Sequence, residues 1–216
     1  MTSPIPPIET PTFPVLHHPG TGETIRVLES TRDLFRMELT IAPRGEIAGS
    51  HLHPNQHQTF EVVSGQLVCR TQGREHLLKP GDTLVLPPGV VHTQGNPFDE
   101  PAVAIETYRP GLRIHEFFEA FFGLGARGLT DKKGAPTPLY GAALLDEYKG
   151  TIAVGSRVDR VLLRMLAPLA RSLGYHDKIR DVLRAARSNP RLELSRGKER
   201  RGATSLVPST ARSARS

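Results

Sequence analysis

The sequence predicts a mainly β domain, built as a sandwich or closed barrel of short strands, with a helical extension behind it. Three observations carry this. Between Thr24 and Arg109, short β-rich or alternating segments are cut at even spacing by turn signals: Ser64-Gly65, Gln72-Gly73, Pro80-Gly81-Asp82, Pro88-Gly89 and Asn96-Pro97. After Arg109-Pro110-Gly111 the apolar period shifts from two to near four. The chain has 216 residues and one cysteine, Cys69, so it can bury a sizeable core but cannot close an intramolecular disulfide.

Residues 1–22 carry seven prolines or glycines before Thr21 and read as an extended arm with little regular structure, lying along the barrel. The β domain is expected over residues 23–110, with strands at 24–29, 34–41, 48–53, 58–63, 66–71, 74–78, 83–87, 90–95 and 102–109. Many short strands of this kind exclude a parallel α/β sheet. The extension, residues 111–186, holds helical stripes. Ile114, Phe117, Phe118, Phe121, Phe122 and Leu124 form the first; Leu139, Ala142, Leu145 and Tyr148 the second. Val158, Val161, Leu162, Met165, Leu166 and Leu169 form a third, expected to pack on the barrel or across a homodimer, with Ser156 as N-cap and Pro168 kinking or ending the helix. Ile179, Val182 and Leu183 suit the inner face of a short last helix. Residues 187–216 read as a disordered basic tail.

The net charge of +6 belongs to that tail, where eight basic residues face two acidic ones, so residues 1–186 are balanced. The tail lacks aromatic residues between its arginines, which argues against a nucleic-acid partner. No apolar run is long enough to span a bilayer, and peripheral attachment through the arginine-flanked third stripe is disfavoured. The opening MTSPIPP has neither a basic nor an apolar leader region, and with one cysteine a cytoplasmic setting is expected.

Side chains two apart on a strand share a face, so His51 and His53 point together, as do Gln58 and Phe60, and His92 and Gln94. Facing a barrel interior, His51, His53 and His92 make a metal-site composition: three neutral imidazoles that leave coordination positions open. His57 has the opposite parity to Gln58 and should face solvent; His17, His18, His76, His115 and His176 have no partner at ligand spacing and read as surface or packing residues.

Gly45 to Gly65 (GEIAGSHLHPNQHQTFEVVSG) and Gly81 to Asn96 (GDTLVLPPGVVHTQGN) together resemble the two motifs of the cupin superfamily, G-x5-H-x-H-x3or4-E-x6-G and G-x5-P-x-G-x2-H-x3-N. Gly45, His51, His53 and Gly65 match the first; Gly81, Pro87, Gly89, His92 and Asn96 match the second. Gln58 stands where the family has its ligand glutamate. The resemblance covers roughly residues 24–110 and implies a jelly-roll barrel, with His51, His53, His92 and Gln58 around one divalent transition metal, Fe, Ni, Cu or Zn. The segment GLGARGLTDKKGAPTPL is also similar to extensions of some uncharacterised cupins.

A glutamine contributes no charge, whether its oxygen ligates or only hydrogen-bonds a bound water, so the ion would keep its +2 and favour anionic, chelating ligands. The resemblance then supports two functions. One is a metal cupin binding a small organic anion, with dioxygenase chemistry where the metal is redox-active; three-histidine iron centres occur in cupin dioxygenases, and amide ligation in cupin sugar-phosphate isomerases. Gln94 would orient substrate or water there, and Phe60, Met37 and Leu86 would form an apolar wall. The other is a non-catalytic metal or metabolite sensor, motivated by the extension and by the missing carboxylate, which leaves only Glu61 or Glu106 as a general base.

Overall fold

Inward-facing apolar side chains at alternate positions organise the strands in the computed structural model, which describes residues 13–47 and 49–188. The elements run β1 (Val15–His18), β2 (Glu23–Ser30), β3 (Phe35–Ile41), β4 (His51–Leu52), β5 (His57–Ser64), β6 (Leu67–Thr71), β7 (Arg74–Leu78), β8 (Thr83–Leu86), β9 (His92–Gly95) and β10 (Ala102–Arg109). Then come α1 (Ile114–Ala126), α2 (Pro138–Glu147), β11 (Ala153–Val154), α3 (Arg157–Ser172) and α4 (Tyr175–Ser188). One antiparallel sheet has the order β1-β2-β3-β10-β5-β8 and the other β11-β4-β9-β6-β7, which together make the jelly-roll barrel. Ile25, Met37, Leu39, Phe60 and Val62 fill its core.

Register decides what meets inside. Glu106 on β10 lies opposite Met37 on β3 and Phe60 on β5, and Gln58 lies opposite Tyr108 on one side and Leu86 on the other. On the second sheet His51 is the direct cross-strand partner of His92. Gly49, at φ +80°, turns the chain just ahead of β4, so the strand expected at 48–53 shrinks to two residues.

The arm over residues 1–22 is expected to hold little regular structure, but Val15–His18 pairs with β2 as an edge strand; residues 1–12 and the tail 189–216 lie outside the described residues. Ser156 caps α3 as expected, its Oγ accepting from the Asp159 amide at 3.2 Å. Pro168 does not stop that helix, which continues to Ser172. Its side chain is on the solvent face, where water can take up the carbonyl bond that proline cannot make. Most of the third stripe is turned outward: Val158, Val161, Leu162, Met165 and Leu169 are exposed, Leu166 alone packs partly buried against the core, and α3 buries Ala167 and Ala170, small residues that bring it close to its neighbours. No helix among the described residues is long and apolar enough to cross a membrane.

Candidate metal centre

β4 and the residue after it present His51 and His53, and β9 presents His92. One ring nitrogen from each lies within 4.8 Å of the others, in a cluster that holds no carboxylate. The ring centroids are 4.3 Å apart for His51 and His92, 5.3 Å for His51 and His53, and 5.7 Å for His53 and His92.

Hydrogen bonding fixes the tautomers. His53 Nδ1 is 3.0 Å from the Thr151 carbonyl and His92 Nδ1 is 3.0 Å from the Val90 carbonyl. A carbonyl only accepts, so each Nδ1 carries the hydrogen and each Nε2 presents a bare lone pair. Both Nε2 atoms are buried without a hydrogen-bond partner. Desolvation, together with repulsion from His92, lowers His53 to about 4; desolvation also depresses His92, and desolvation with both neighbouring rings depresses His51. The three rings are therefore neutral at pH 7, the form that ligates a metal. Orphaned, buried imidazole nitrogens that converge in this way fit a first-row divalent ion, with backbone carbonyls supplying the outer-shell orientation such ligands use.

Gln58 is buried, but its amide nitrogen is committed elsewhere, donating to Glu106 Oε2 at 3.1 Å and lying 2.9 Å from the Tyr108 hydroxyl. Its carbonyl oxygen has no partner. Glu106 gathers this polar group: it also accepts from Tyr108 Oη at 2.6 Å and from Gln94 Nε2 at 3.2 Å. Burial outweighs those bonds and raises Glu106 to about 8, while burial raises Glu23 to about 7.

The interior opens into a chamber of about 520 Å³ between the barrel and the helical extension. Met37 and Gln94 line it along with His51 and His53. Phe60 and Leu86 are buried but are not among its lining residues; Phe60 packs its ring 6.3 Å from His92 instead. Of the two carboxylates considered as a base, Glu106 lines the chamber and Glu61 faces solvent, as does His57. His18 is a packing residue, stacked on Phe121, and His176 bonds Asp146. Tyr108 and Glu23 went unnoticed in the sequence. The inward parity Ala102, Ala104, Glu106, Tyr108 was the available signal for the first.

Residues 37–108 match the family model described as a cupin domain. The barrel is a cupin. The chain is similar to an auxin-binding protein of Prunus persica, 30% identical over 122 residues, 53% of this chain and 56% of that protein. Germin-like protein 1 of Brassica napus shows the same identity and shares. The chain thus spans about half the length of the curated relatives it matches. Among solved structures, an uncharacterised double-stranded β-helix protein of Klebsiella pneumoniae is 32% identical, with a TM-score of 0.38 over 40% of this chain and 71% of that one. An RmlC-like cupin of Shewanella frigidimarina is 24% identical, with a TM-score of 0.40 over 45% and 84%.

Proposed function

We propose that this protein is a mononuclear metal cupin that holds one divalent transition ion on His51, His53 and His92 and binds a small organic ligand beside it. The observation that carries the reading is the pair of buried, unpartnered Nε2 atoms of His53 and His92, each with its Nδ1 held by a backbone carbonyl. A bound iron or copper ion would supply dioxygen and substrate activation, consistent with oxidative chemistry. The chain's own part is to orient the ligand and handle a proton. Gln94 and Tyr108 present polar groups to the chamber, and Glu106, bonded to both, holds a proton at neutral pH that it can give to a ligand oxygen. Gln58 supports this as the donor that orients Glu106.

Elemental analysis of untagged protein, beside a His51→Ala, His92→Ala double variant, tests the reading. Near-stoichiometric iron, nickel, copper or zinc that disappears in the variant supports it. No metal as purified and none taken up on reconstitution would sink it.

A non-catalytic sensor is the second reading, favoured by one connection. The extension touches the histidine cluster directly, since Thr151 orients His53 and Val154 of β11 pairs with His51. Firm metal and ligand binding without turnover of any tested substrate would select it.

A further inference from the structure

The chamber's wall is divided by origin. The strands and the loop into β4 contribute its polar groups, among them His51, His53, Gln94, Glu106 and Tyr108. The extension contributes the four phenylalanines 117, 118, 121 and 122 from α1, then leucines from α2 and α3, and one charged residue, Asp159. No lysine or arginine lines the chamber among the described residues, whereas three carboxyl groups do, Glu23, Glu106 and Asp159.

That division constrains the ligand. A small dianion would leave most of the apolar wall facing water and would find no lysine or arginine in that wall to pair with its second charge. A molecule with an apolar body would remove the phenylalanine and leucine faces from water, and about 520 Å³ is room for a drug-sized body. Resting on the metal reading above, we infer that the ligand is an amphiphile: an acyl chain or aromatic body filling the chamber under α1, α2 and α3, with one chelating polar head at the histidine cluster. The anionic ligand expected from the charge of the ion narrows to a head group that carries at most one charge.

Gly141 of α2 provides a way to change the volume without disturbing the fold. It lines the chamber in an ordinary helical conformation, and a Cβ there would meet nothing nearer than 3.7 Å. Leucine also favours a helix more than glycine does.

The test titrates the zinc-loaded full chain with acetohydroxamate, hexanohydroxamate, decanohydroxamate and oxalate by calorimetry. Affinity should rise about fourfold per added methylene over the first several carbons, and oxalate should bind no tighter than acetohydroxamate. Gly141→Leu should weaken decanohydroxamate at least tenfold relative to acetohydroxamate. Equal affinity across the hydroxamates on protein that holds zinc, or oxalate binding tighter than decanohydroxamate, overturns the inference and leaves the metal reading standing. Should the protein take up no zinc, the metal reading falls on its own. In that event, decanol binding at least tenfold tighter than hexanol to the metal-free chain still supports the apolar body, and equal binding of the two alcohols overturns it.

Discussion

Burial acts in opposite directions on the two kinds of ionisable side chain inside the barrel. His18 and His53, lowered from 6.5 to about 4, stay neutral in the native protein and take up protons only on unfolding. Their contribution to stability is present above pH 6.5 and is lost as the pH falls through that value toward 4. Glu23 and Glu106, raised from 4.5 to about 7 and about 8, keep protons that the unfolded chain releases. Their contribution is full below pH 4.5 and is lost as the pH rises through 7 and 8. Metal-free protein should therefore be most stable near pH 6, with Tm falling by roughly 5 °C or more toward pH 8.5. Glu106→Gln should flatten that alkaline decline, and a Tm that climbs from pH 6.5 to 8.5 would contradict the assignment. Gln58→Glu tests the same cluster in another way. The new carboxyl would stand where an amide nitrogen now lies 3.1 Å from Glu106, so the pair must share a proton until an ion neutralises it. Tm should fall by several degrees without metal, while manganese should bind tenfold tighter or better if position 58 reaches the ion. Unchanged manganese affinity would confine Gln58 to orienting Glu106.

The second motif's asparagine shows how an element depends on one side chain. Asn96 is fully buried just beyond β9; its Nδ2 donates to the carbonyls of Ile41, Ala42 and Glu100, and its Oδ1 accepts from the Phe98 amide. It ties the loop between β9 and β10 to the end of β3. Asn96→Ala would leave buried backbone groups unpaired, at a cost of about 2–4 kcal/mol. A fall in Tm on the order of 10 °C is expected, with the histidine rings themselves untouched. Gly65 is equally tied to its place, since a Cβ there would lie 2.2 Å from the Pro101 carbonyl oxygen. These motif positions, the barrel strands and the parity of His51, His53, His92 and Gln58 were legible because alternation is a local property that survives without knowing what a strand pairs with. Pairing itself was not. β11 has two residues and no period, so nothing local revealed that it would join β4, and Glu106 became central only once β10 was in register between β3 and β5. On α3 the period disclosed an apolar face but not what covers it. The inward choice fell to Ala167 and Ala170, because small residues permit the closer approach.

At the scale of the whole molecule, the extension is joined to the barrel through the histidine cluster as well as through the core. The Thr151 carbonyl accepts from His53, the Gly150 carbonyl accepts from Asn55 at 2.9 Å, and Val154 pairs with His51. The four phenylalanines of α1 line the chamber, while the turn between α2 and β11 supplies the carbonyl that orients His53. An ion on His51, His53 and His92 would add bonds that exist only in the folded chain, and its stabilisation must spread to whatever those bonds immobilise. Hydrogen exchange should therefore slow on zinc addition at β4 and β9 and also across residues 149–156, which supply no ligand of their own. The effect should vanish in the His51→Ala, His92→Ala variant. Protection confined to the barrel strands would mean that the extension merely covers the site. Protection that reaches residues 149–156 would mean that metal occupancy and the shape of the apolar chamber are one equilibrium, so that a ligand filling the chamber must tighten the metal by the same factor as the metal tightens the ligand.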